Sequence, residues 1–177
     1  MRTFAIFVLI LLGGNAFAAT EALELQQLRG QLKKAQEAED KPAIIELSHR
    51  IVAIAPNDSN TWDTLAQMQL ESEELDGLER TLAAWQKTFK KPPAAIEDFR
   101  AALCFKRKDY QCAEKHWLAF IATKPPRADL AAAYDNLAES CAAEARWADH
   151  AGYRAKAVAA QERAARCLLR AVAFLRL

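Results

Sequence analysis

The sequence predicts an all-α protein assembled from repeated helical hairpins, and three observations carry that expectation. Alanine, the strongest helix former, supplies 38 of the 177 residues. Five glycines and six prolines leave little material for the tight turns of a β-protein. Pro56, Pro92-Pro93 and Pro125-Pro126 interrupt the chain at spacings of 33 to 37 residues, an interval that signals tandem repeats. A composition of 52% hydrophobic and 27% charged residues excludes disorder and collagen. The net charge of +1 lacks the basic excess of a nucleic-acid binder.

The first element is a targeting segment. Arg2 precedes an uninterrupted apolar run, Phe4 to Leu12 (FAIFVLILL). Gly13, Gly14 and Asn15 are expected to break any helix there, and Ala16-Phe17-Ala18 places small residues at alternate positions. This is the layout of a secretory signal peptide over residues 1–18, cleaved after Ala18. Nine apolar residues fall short of the roughly 20 that a spanning helix needs, so no transmembrane span is expected in the mature chain. No Cys follows the cleavage point to accept a lipid. The short basic start and the Ala-x-Ala site point to the periplasm of a Gram-negative bacterium. The mature chain then has a net charge of zero and three glycines, Gly30, Gly77 and Gly152.

Between the proline breaks each segment divides into two helices joined by a short polar turn. Thr61 to Glu71 and Leu75 to Phe89 make one pair, and Ala94 to Lys106 with Tyr110 to Thr123 make the next. Apolar residues recur three and four apart in each, giving one buried stripe per helix.

These residues resemble the tetratricopeptide repeat, a family of 34-residue helical hairpins. Asp40 to Asp58 (DKPAIIELSHRIVAIAPND) looks like the second half of a repeat, and Trp62, Leu65 and Ala66 (WDTLA) match the opening of the next. Asp109-Tyr110, Ala113, Trp117 and Pro125 match the turn, the small position, the aromatic and the closing proline of a third. Tyr134, Leu137 and Ala138 (YDNLA) open a fourth. The match covers about residues 24–160. Leu32 and Ile44 are large where the first repeat should be small. Glu97 and Arg100 replace apolar residues, and Phe120 and His150 fill small slots. The resemblance implies a tetratricopeptide-type α-solenoid of about four hairpins (25–58, 59–92, 93–126 and 127–160, within an array over 19–160) plus a C-terminal helix, 161–177. Each hairpin alone leaves an apolar face that its neighbour must cover.

In this family the first helix of each hairpin lines an inner groove that holds peptide partners. By the family's spacing, Arg29, Asp63, Asp98 and Asp135 take equivalent groove positions, and Gln67 and Glu139 lie one turn further on. Aligned, these carboxylates would form an acidic strip suited to a basic segment or a free amine. Phe105 and Lys106 fall near the same side, where an exposed Phe would anchor an apolar side chain and a buried one would belong to the core.

Four cysteines in an exported chain point to disulfides before metals. Cys104 and Cys112 flank the Lys106-Arg107-Lys108-Asp109 turn, and a bridge between them would staple one hairpin. A loop that short contributes about 2–3 kcal/mol in the chain-entropy picture. Cys141 is a rival partner for Cys112, and Cys167 lies in the last helix. Cys112 and His116, four apart, share a helix edge that could hold a metal, but no second ligand pair accompanies them, so no metal and no cofactor is expected. Gly-x-Ser-x-Gly, phosphate-loop, His-Glu-x-x-His and Cys-x-x-Cys patterns are absent, and His49, His116 and His150 are scattered.

In the last helix Ala165, Leu168, Leu169, Val172 and Leu175 form an apolar stripe, and Arg163, Arg166 and Arg170 a basic one. It reads as a cap of the array or as a helix that docks a partner or a membrane surface. The charge is uneven along the chain. Residues 19–85 carry 13 acids and 6 bases, and residues 86–127 carry 4 and 10. The function expected is a non-catalytic adaptor of the bacterial envelope that binds a protein or peptide, basic at the groove, and no nucleic acid. By resemblance, exported members of the family scaffold secretion, pilus, outer-membrane assembly and cytochrome-maturation machines. The alternative is a small periplasmic enzyme or a metal- or haem-handling protein on a helical scaffold.

Overall fold

A computed structural model describes residues 3–144, 146 and 149–159. Every regular element among them is helical: α1 (Thr3–Glu37), α2 (Lys41–Ile54), α3 (Ser59–Glu71), α4 (Leu75–Thr88), α5 (Ala95–Lys106), α6 (Tyr110–Ala122), α7 (Arg127–Ala143) and α8 (149–159). The limits of α3 to α6 fall within two residues of those read from hydrophobic spacing. Residues 161–177, and with them Arg163, Arg166, Arg170 and Cys167, lie outside the described residues.

The N-terminus corrects one expectation. Gly13, Gly14 and Asn15 do not interrupt the helix, because α1 runs through them as one element of 35 residues. A glycine inside a helix costs about 1 kcal/mol relative to Ala, and helix-favouring turns on both sides outweigh that penalty. No helix among the described residues is long and apolar enough to cross a membrane.

Turn chemistry repeats along the chain. Glu39, Glu73 and Lys108 close α1, α3 and α5 in the left-handed region, at φ 54°, 58° and 62°, spaced 34 and 35 residues apart. Glycine is the usual occupant of such a position. Two of the three are followed at once by a capping aspartate: Asp40 accepts from the Ala43 N–H at 3.2 Å, and Asp109 from the Cys112 N–H at 3.1 Å. Asp58 caps α3 in the same way through the Thr61 N–H at 3.3 Å. Each cap satisfies a helix donor that has no partner within the helix.

The chain forms two compact units, Met1–Glu73 and Glu74–Leu177. In the first, α2 packs against α1 and α3 around Leu28, Leu32, Ala35, Ile44 and Ile51. Leu32 and Ile44, the two oversized residues, are buried there, so aliphatic bulk replaces close backbone approach in this hairpin. Trp62 is buried and its Nε1 donates to the Pro56 carbonyl at 2.8 Å, which fastens α3 to the loop before it. Ser48 on α2 is fully buried, and its hydroxyl has no hydrogen-bond partner among the described residues. A buried hydroxyl left unpaired is a liability, so Ser48→Ala is expected to raise stability by up to about 1 kcal/mol in urea denaturation. A loss of stability would mean that the hydroxyl is bonded in solution.

In the second unit α5 packs on α4 and α6, and α6 on α7. Ala101 and Ala113 are fully buried where α5 meets α6, and Trp117, Phe120, Ala133 and Leu137 fill the space around them. Past α7, the Arg146 guanidinium gathers Glu114 (2.7 Å), Glu144 (3.0 Å) and Asp149 (3.4 Å). The hydrogen bond to Glu114 is the largest cause holding the Arg146 pKa above its ordinary value.

Candidate partner-binding site

Two open recesses follow one another along the first unit where α1 faces α3. The larger, about 800 Å³, is lined by Arg29, Leu32 and Gln36 from α1, the Ile54-to-Asp58 loop, and Thr64 of α3. The second, about 480 Å³, is lined by Gln36, Glu39, Lys41, Ile44, Met68 and Glu71, with Thr64 again. Gln36 and Thr64 line both, so the two recesses adjoin, with apolar patches between polar rims. A peptide needs both: apolar pockets for alternate side chains, and donors and acceptors for its backbone.

The rims are electrostatically organised. Arg29, placed in the groove by sequence spacing, does line the larger recess, but its guanidinium is paired with Asp58 at 2.8 Å. Burial alone would raise the Asp58 carboxyl; the hydrogen bonds from Arg29 and Thr61 outweigh it and hold the group below its ordinary range. At the other end Lys41 pairs with Glu71 at 2.9 Å, and Gln67 Nε2 donates to Glu71 at 2.7 Å. Those hydrogen bonds, Gln67's first, keep Glu71 ionised below its usual value.

Asp63, one turn before Gln67, differs from these. Its side chain is exposed, yet the surrounding protein desolvates the carboxyl enough to raise its pKa. It has no hydrogen bond or ion pair among the described residues. A carboxylate that water touches while protein crowds it is one that a partner's cation would stabilise.

The remaining expected groove residues belong to the second unit, where the fold engages most of them. Asp98 accepts from Trp117 Nε1 at 3.0 Å, and Asp135 pairs with Arg154. Phe105 does not stand free as an anchor. Its ring packs edge-on against Tyr110 (5.5 Å) and tilted against Trp117 (5.8 Å), as part of the hairpin core. The core role has a simple cause, since a half-buried Phe beside two aromatics gains more by packing than by facing water. Lys106 and Glu139 are exposed.

A second cluster lies at the α5–α6 hairpin, where sequence spacing gave the Cys112–His116 edge but not Glu97. The Cys104 and Cys112 sulfurs stand 2.08 Å apart, at bonding distance, and Cys141, the rival partner, is a separate buried thiol whose pKa burial raises. One ring nitrogen of His116 lies within 4.8 Å of both sulfurs, and His116 Nδ1 meets Glu97 at 2.7 Å. Glu97 also holds Arg100 at 3.1 Å. A further signal was the pair Glu97 and Arg100, polar where the repeat pattern is apolar.

The chain matches no family profile and no curated protein. Among solved structures it is similar to MamA, a tetratricopeptide-like protein, at a TM-score of 0.67 and 14% identity over 80% of this chain and 81% of that one. The fold is tetratricopeptide-like. At that identity the likeness concerns backbone architecture, and the all-α array of hairpins agrees with it.

Proposed function

We propose that the protein is a non-catalytic interaction module whose α1–α3 crevice holds a basic peptide segment of a protein partner. The observation that carries this reading is that the two recesses adjoin at Gln36 and Thr64. Charge supports the sign of the partner: residues 19–73 hold ten acids against five bases, and Asp63, on α3 although not in the lining of either recess, keeps an uncommitted carboxylate. The tetratricopeptide-like backbone supports an adaptor over an enzyme. Arg2, the Phe4–Leu12 run and Ala16-Phe17-Ala18 support export to a bacterial periplasm, with the partner part of an envelope assembly.

Arrayed peptides of graded charge, probed with the purified protein, test the reading. Basic peptides should be retained in preference to acidic ones, and Thr64→Trp should weaken the best of them at least 10-fold at unchanged Tm. Preference for acidic peptides, or full binding by Thr64→Trp, would overturn it.

A further inference from the structure

We propose that Cys104, Cys112 and His116 form a redox-gated site for a thiophilic divalent cation, closed while the two sulfurs are bonded and open once they are reduced. The inference is independent of the peptide crevice, which lies in the other unit. Three ligand atoms of the right chemistry, two sulfurs and an imidazole nitrogen, lie within 4.8 Å of one another. Two thiolates and one histidine are a donor set that zinc favours, leaving one position for water.

Three further features point the same way. Glu97 meets His116 Nδ1 at 2.7 Å, so Nδ1 is committed to the carboxylate and Nε2 is the nitrogen left for a ligand. A carboxylate orienting a histidine in this manner is the usual support of a metal-bound imidazole. Cys112 sits in the first turn of α6, whose N-terminal dipole favours a thiolate over a thiol. All three residues line one open cleft of about 380 Å³, which gives a cation a path in.

The charges in that cleft do not oppose a cation. Arg100 is countered by Glu97 and bonded to Gln86, and Arg107 by Asp76 and Glu79 at 2.9 Å each. Asp109, which also lines the cleft, adds a carboxylate. The chemistry balances. A dithiol reductant delivers two electrons and two protons to the Cys104–Cys112 bond and leaves as its own disulfide. The cation then displaces both thiol protons to solvent, and two thiolates with one neutral imidazole cancel its double charge.

Zinc titration of the full chain against a chromophoric chelator, before and after reduction, tests this. Reduced protein should bind one equivalent and release two protons, and oxidised protein should bind none. Cobalt should give the thiolate charge-transfer band of a two-sulfur site only after reduction. Circular dichroism of each variant separates loss of ligands from loss of fold. His116→Gln, helical and reduced, should bind zinc at least 10-fold more weakly, while the Cys141→Ala/Cys167→Ala double variant should bind it unchanged. Equal zinc binding by the oxidised protein, by Cys104→Ser/Cys112→Ser or by His116→Gln would overturn the site, as would loss of binding in the Cys141/Cys167 variant. Absence of zinc binding by the reduced protein, folded or not, overturns it too.

Discussion

Trp117→Ala is expected to cost about 3–5 kcal/mol of folding stability, the range for removing a large aromatic from a packed core. Trp117 is 2% exposed at the centre of the α5–α6–α7 cluster, touching Phe105 through its ring and Asp98 through its indole N–H. The Ala variant loses the buried area and opens a cavity, and it also removes the indole N–H that the half-buried Asp98 carboxylate accepts. Trp117→Phe separates these causes. It keeps most of the packing and loses the hydrogen bond, so its cost should stay near about 1 kcal/mol. Chemical denaturation of the two variants gives both numbers. Near-equal losses would mean that the indole N–H, and not the ring, anchors α6.

The second large effect comes from adding atoms. Ala113→Leu is expected to destabilise by as much as about 3 kcal/mol, although it adds apolar surface to a core. Ala113 and Ala101 are both fully buried where α5 and α6 meet, and neither leaves room for a branched side chain without parting the helices. In unit one, by contrast, the large side chains of Leu32 and Ile44 fill buried positions between α1 and α2. A swap there that adds no volume, Ile44→Leu, should cost less than about 1.5 kcal/mol. Thermal melts of both variants measure the contrast. A tolerant Ala113 would show that the α5–α6 contact is looser than its burial implies.

How far the sequence disclosed all this follows from what each signal encodes. Helix limits from Ser59 to Ala122 were legible because apolar spacing, aspartate caps and prolines agree with one another there. Gly13 and Gly14 misled because a glycine lowers helix propensity without forbidding a helix. Arg29 lines the larger recess, on the helix face that periodicity gives it. Its pairing with Asp58 was not legible, because the two are 29 residues apart and meet only through packing. Phe105 and Asp98 show the same limit: spacing gives the face of a helix, while the neighbour across that face decides whether a side chain is spent. The His116 cluster was half visible, as Cys112 and His116 share a helix edge and Cys104 joins them only when the hairpin closes.

The buried tryptophans have a practical consequence. Trp62 in α3 donates to a backbone carbonyl, Trp117 in α6 donates to a carboxylate, and Trp85 in α4 is almost fully enclosed at 1% exposure. Each therefore sits in a different electrostatic setting within a different helix, and indole emission responds to that setting. Among the described residues the chain carries its own optical reporters, one in the Met1–Glu73 unit and two in the other, while a fourth indole, Trp147, lies outside them. Variants that keep a single indole can watch each part of the chain melt by itself, without any attached dye.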